Sequence, residues 1–174
     1  MKNKMSRSRA HSTRWLGVVA AGIAILALAF HTLFEEKRTG ANFDASITVH
    51  YIDVGQGDSI LITLSSGENM LIDAGPNASE EILEAYLRKQ KVDSFLYVIF
   101  THPHEDHIGG GDRVIQEYDT ENIIMPYVQT NTATYERLLN AIDSKHLSVN
   151  KAISGDTYTI GEAEFQILGP NSDT

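Results

Sequence analysis

Three imidazoles and a carboxylate, His102, His104, Asp106 and His107, fall within six residues of one another. Imidazole nitrogen combined with carboxylate oxygen suits zinc, manganese or iron and is the wrong donor set for an all-oxygen calcium loop. If the segment Thr101-His102-Pro103-His104-Glu105-Asp106-His107-Ile108-Gly109-Gly110 is a loop, alternate side chains can converge. His102 and His104 would then hold one divalent ion, and Asp106 with His107 a second. Two ions about 3.5–4 Å apart bind both the attacking and the leaving oxygen of a phosphoryl centre, which is metal-assisted hydrolysis. At this chain's histidine and aspartate content, such a spacing arises by accident in on the order of one chain in a thousand. The bland alternative makes these residues surface or hydrogen-bonded core histidines. Packed together without an ion, however, they would repel one another when protonated and waste buried polar capacity.

Three further polar residues are candidates. Asp73 ends an apolar run just before Ala74-Gly75-Pro76. It is placed to hydrogen-bond a ligand imidazole and fix its tautomer, as carboxylates behind metal-bound histidines do. An Asx turn introducing the Gly75-Pro76 bend reads equally well. Gln56 and Asp58, in Asp53-Val54-Gly55-Gln56-Gly57-Asp58, sit in a glycine-rich loop that is either a tight crossing or a substrate-facing edge with catalytic side chains.

The elements that must position these residues can be read from periodicity. Ile47 to Ile52, Ile60 to Leu64 and Met70 to Ile72 are short strands with turn-rich connections, which favours an antiparallel meander. Asn77 with Glu80 resembles a capping box, and Ile82, Leu83, Tyr86 and Leu87 make one apolar helix face. Phe95 to Phe100 is a near-continuous apolar run, the pattern of a strand buried on both faces, and the histidine cluster follows at its C-terminal edge. Val114, Ile115 and Tyr118 predict a helix of about two turns. Ile123 to Met125 predicts a buried strand ended by Pro126. Thr134 to Ile142 predicts a helix with Leu138, Leu139 and Ile142 inside. Residues 157–168 read as a hairpin turning at Gly161.

The first forty-five residues differ from the rest. Residues 1–14 form a basic tail with Lys2, Lys4, Arg7, Arg9 and Arg14. Residues 15–34 carry no formal charge, and residues 35–45 read as a polar linker. Twenty apolar residues suffice to span a bilayer, and the basic flank places the N-terminus in the cytoplasm and the domain at 46–174 outside the cell. The alternative is a signal peptide cleaved near Ala29, after which the protein would be secreted. Nine basic and all 23 acidic residues follow residue 34, a net charge of −14, so a polyanionic substrate must rely on bound cations or local basic groups. The absence of cysteine excludes disulfides and thiolate ligands. Nothing in the chain implies a protein partner.

The segment His102-Pro103-His104-Glu105-Asp106-His107 resembles the HxHxDH signature of the metallo-beta-lactamase superfamily, and Asp73 in Leu71-Ile72-Asp73-Ala74-Gly75 matches its upstream aspartate. Asp53-Val54-Gly55-Gln56-Gly57-Asp58-Ser59, taken with Thr101-His102-Pro103-His104, is similar to the hydrolase domain of the ComEC/Rec2 competence proteins. The resemblance implies an α/β (α+β) four-layer αββα sandwich with a dinuclear zinc or manganese site at one edge of its sheets. It also implies a hydrolase acting through a metal-activated water on DNA or a small phosphodiester. Lactam or thioester hydrolysis on the same site is the alternative activity. The family's bridging aspartate in a Gly-Asp segment, and its last histidine in a Pro-His-His-Gly-like segment, are not found. Only His11, His31, His50 and His146 lie outside the motif. The chain is therefore expected to be the first half to two-thirds of such a domain and inactive by itself. The alternative to a hydrolase is a non-catalytic metal-binding or structural remnant.

Overall fold

The computed structural model describes residues 46–128 and 130–170. The apolar run 15–34, and the anchor or signal read from it, lie outside the described residues. Among those described, no helix is long and apolar enough to cross a membrane.

Strands β1 (Ile47–Tyr51), β2 (Ile60–Leu64) and β3 (Asn69–Ile72) form the expected antiparallel meander, with Tyr51 opposite Ile60 and Leu61 opposite Leu71. The chain leaves the sheet at Ala74-Gly75-Pro76 and enters α1 (Glu80–Lys89) through a short 3-10 turn, Asn77–Ser79. It returns as β4 (Ser94–Ile99), parallel to β3. One helical turn, α2 (Glu105–Ile108), and α3 (Gly111–Glu117) lead to β5 (Asp119–Met125), parallel to β4. Helix α4 (Ala133–Ser144) then connects to β6 (Val149–Lys151), parallel to β5. The six strands form one sheet in chain order, and β7 (Thr157–Ile160) with β8 (Ala163–Gln166) form a separate antiparallel pair.

The alternation of side chains along β4 divides the core. Val98 and Phe100 join a cluster with Leu83 and Leu87 of α1, Val114 and Ile115 of α3, and Leu138 and Ile142 of α4. Tyr97 and Ile99 face the other way, with Met70, Ile124 and Ile160. The described residues thus form a mixed α/β architecture with helices on one sheet face and the β7–β8 hairpin on the other.

The runs Phe95 to Phe100 and Ile123 to Met125, which read as buried, would lie exposed on the side away from the helices were only the rest of a sandwich to cover them. Instead the Tyr97 ring lies 5.1 Å from that of Phe165 and 5.9 Å from that of Tyr158. The Tyr97 hydroxyl donates to the Thr159 carbonyl at 3.1 Å, and Ile124 is fully buried. The larger exposed apolar side chains of the sheet are on its two edge strands, Ile47, Val49 and Tyr51 on β1 and Val149 on β6.

Three smaller readings also change. Ile82 is 53% exposed and Leu139 39%, so the inner faces of α1 and α4 are narrower than the sequence pattern drew them. Each is adjacent in sequence to a fully buried leucine and is therefore turned about 100° from it around the helix. Asn77 does not form a capping box with Glu80, since it precedes the N-cap Ser79 and its N–H donates to Glu105 Oε1 at 2.7 Å. Strand β6 was not anticipated, because Val149, Asn150 and Lys151 are all exposed and carry no alternation.

Candidate metal centre

The candidate residues gather at the C-terminal ends of the parallel strands β3 and β4. Asp73 leaves β3 with its N–H still donating to the Ile99 carbonyl at 2.9 Å, but its φ of +57° turns the chain out of the sheet. An aspartate tolerates this left-handed conformation better than a branched residue. It is almost fully buried, so its carboxylate needs internal partners. Oδ1 accepts the Thr101 N–H at 2.8 Å, and Oδ2 accepts the Thr101 hydroxyl at 2.5 Å. His107 Nδ1 lies 2.8 Å from the same Oδ2. No Asx turn forms at the following bend, because the Gly75 N–H donates to the Asp58 carbonyl.

From β4 the chain runs through His102 to His104, whose carbonyl accepts the N–H groups of His107 and Ile108 and so starts α2. That single turn brings Asp106 and His107 back over the preceding histidines. His102, His104 and Asp106 each offer a ligand atom, and these atoms all lie within 4.8 Å of one another. The His107 ring centroid is 3.8 Å from that of His102, and its Nε2 is 3.8 Å from Asp106 Oδ2. All four motif residues therefore share one patch. Distance groups Asp106 with His102 and His104, while His107 turns its other nitrogen to Asp73. Burial, followed by the proximity of the His107 and His104 rings, holds the His102 imidazole below its ordinary pKa. The neutral form so favoured is the one that ligates a metal.

The loop carrying Gln56 and Asp58 closes over this turn. The Asp58 N–H donates to the Asp106 carbonyl at 3.2 Å, and its Oδ2 stands 3.7 Å from His107 Nδ1 with the side chain 68% exposed. Gln56 is exposed on the same loop. Gly57 permits the approach, since a Cβ there would lie 2.3 Å from the Asp106 carbonyl oxygen. His50 is engaged elsewhere, 3.0 Å from the Tyr86 hydroxyl. Sequence reasoning missed Thr101 and Glu105. The signal available for Thr101 was a hydroxyl side chain between the end of a buried strand and the first histidine. The contacts of Glu105 across the bend had no sequence signal.

Two imidazoles and a carboxylate in mutual reach, with a third imidazole against them, fit a divalent transition ion by donor chemistry. The sequence profile of the metallo-beta-lactamase superfamily matches residues 52–165. The chain belongs to this superfamily. Its members are in general metal-dependent hydrolases, and the matched span holds every candidate residue named above. ComE operon protein 3 of Bacillus subtilis (strain 168) is 23% identical over 141 residues, covering 71% of this chain and 18% of that protein. The probable metallo-hydrolase YflN of the same organism is 32% identical over 99 residues, covering 52% of the chain and 38% of that protein. Anti-Pycsar protein Apyc1 of Bacillus phage BSP38 is 35% identical over 57 residues, 33% of the chain and 21% of that protein. The chain thus spans less than half the length of each of these relatives. Among solved structures, a HARLDQ-motif mutant of a metallo-beta-lactamase from Cronobacter sakazakii superposes with a TM-score of 0.49 at 22% identity, covering 67% of this chain and 48% of that one.

Proposed function

We propose that this superfamily member is a metal-dependent phosphodiester hydrolase, nuclease-like in its chemistry, with two divalent ions, zinc or manganese. His102 and His104 would hold one ion, and Asp106 and His107 the other. The observation that carries the metal-site part of this reading is the convergence of His102, His104 and Asp106 within 4.8 Å, with His107 packed on His102 and anchored by Asp73; the second ion and the division of ligands between the two rest on the superfamily resemblance. When bound, such ions stabilise negative charge and make water a nucleophile near neutral pH. The protein's own residues supply the rest. Asp73 holds the His107 ring by its Nδ1 edge. Asp58 and Gln56, exposed beside the cluster, face an incoming substrate, and Asp58 Oδ2 is available to accept a proton. The uncharged run at residues 15–34 with its basic flank supports placing the domain at the outer face of a membrane, anchored by that run, or secreted after cleavage near Ala29.

The test uses protein expressed from the whole open reading frame, loaded with zinc or manganese. It is assayed on single- and double-stranded DNA, on bis(p-nitrophenyl) phosphate and on a chromogenic lactam. Chelator-sensitive release of p-nitrophenol or DNA cleavage is the expected result. Bound metal with silence on every phosphodiester would sink the substrate class, and lactam turnover in that case would replace it. A protein that retains no zinc after dialysis would sink the metal reading itself.

A further inference from the structure

Thr101 stands between the buried carboxylate and the histidine cluster, and its single hydroxyl proton can be traced. Asp73 Oδ2 is an acceptor and lies 2.5 Å from Thr101 Oγ1, so that proton goes to Asp73. Thr101 Oγ1 is then left with lone pairs, and it is 3.1 Å from His102 Nδ1. Two lone pairs at that separation repel, so the contact is a hydrogen bond only if His102 carries its proton on Nδ1. The same Oδ2 lies 2.8 Å from His107 Nδ1, which must also be protonated to bond to it. The longer approach of Thr101 Oγ1 to His107 Nδ1, 3.5 Å, adds little. The Asp73 end of this relay is held from several sides. Its backbone N–H goes to the Ile99 carbonyl, its carbonyl accepts the Ser59 hydroxyl at 3.1 Å, and its Oδ1 accepts the Thr101 N–H.

We infer that Thr101 is a positioning residue: relaying the acceptor character of Asp73 to His102, it locks that imidazole as the Nδ1–H tautomer and presents Nε2 as the free donor. One buried carboxylate thereby sets two histidines, His107 directly and His102 through the threonine. A ring free to exchange tautomers would offer the ligating nitrogen only part of the time, and losing such an orienting partner typically weakens metal binding about 10–100-fold. The benefit to metal binding rests on the metal-site reading above. The tautomer assignment does not.

The test is two-bond proton–nitrogen correlation of the histidine rings by NMR. It is done on the full chain without metal at about pH 8, above the ordinary imidazole range. The unmodified protein and Thr101→Ser should both show His102 protonated at Nδ1. Thr101→Val, nearly the same shape without the hydroxyl, should show a mixture or Nε2–H at His102, while His107 stays Nδ1–H. Zinc titration should then find Thr101→Val about 10-fold weaker and Thr101→Ser close to the unmodified protein. His102 protonated at Nε2 in the unmodified protein would overturn the inference with no variant needed, as would an unchanged Nδ1–H tautomer in folded Thr101→Val. The expected tautomers with no zinc bound by any variant would sustain the inference and refute the metal-site reading. Zinc bound equally by all three would limit Thr101 to a structural role.

Discussion

At the residue scale the site separates side chains that hold a ligand from side chains that hold the protein together. His104 is exposed and contributes a ligand atom, whereas Asp73 is buried and its carboxylate accepts hydrogen bonds from two other residues. His104→Ala is therefore expected to retain less zinc than Asp73→Ala while leaving the urea midpoint of the metal-free protein nearly unchanged. Asp73→Ala should retain weakened zinc binding but lose roughly 1–3 kcal/mol, because the Thr101 and His107 donors are left without an acceptor. An alanine at a positive φ adds strain to that loss. Equal zinc content in the two variants at limiting metal, or equal stability, would contradict the assignment. His102 also makes stability depend on pH. Burial lowers its pKa in the folded protein, so as pH falls through about 6.5 the unfolded chain takes up a proton that the folded state resists. Metal-free protein should lose stability as pH falls through that range, keep it above, and level off once the lowered folded value is passed. Urea titrations across this range should show the slope, and it should flatten in His102→Gln.

At the scale of elements, the one-turn helix α2 is the part on which the site depends, and it is fixed by contacts with distant segments. The Glu105 carboxylate accepts the Asn77 N–H, the Ala74 N–H donates to the His107 carbonyl, and the Asp58 N–H donates to the Asp106 carbonyl. Glycine at 109 lets these backbones meet, since a Cβ there would lie 2.2 Å from Asn77 N and 2.4 Å from the Pro76 carbonyl carbon. Both neighbours are main chain and cannot swing aside. Gly109→Ala is expected to cost about 1–3 kcal/mol by overpacking and to weaken zinc binding by displacing α2. Calorimetry and zinc titration on the same sample check both, and an unaltered Tm would show the bend to be looser than drawn. Sequence periodicity foresaw both long helices but widened their inner faces to Ile82 and Leu139. Counting apolar residues does not tell which of two neighbouring side chains the sheet will cover.

For the molecule as a whole, charge decides how a substrate arrives. Residues 35–174 carry a net charge of −14, so DNA approaches against repulsion. If DNA is cleaved, raising monovalent salt at fixed metal should leave kcat/KM unchanged or raise it, because screening weakens that repulsion. A nuclease that gathers DNA with a basic face loses affinity steeply as salt increases. A steep loss here would reveal a basic surface that the sequence does not show. The sequence alone determined the donor set, the superfamily likeness, the antiparallel start of the sheet and the buried strand that precedes the histidine segment. These follow from residue types at short spacing, where chemistry and side-chain period act locally. Tertiary structure alone decided that β7–β8 folds over Tyr97 and Ile124, that the exposed Val149–Lys151 segment completes the sheet, and that Asp73 reaches Thr101 and His107. Those outcomes join residues 26 to 68 positions apart. No local period encodes a pairing that exists only after the sheet has brought the strand ends together.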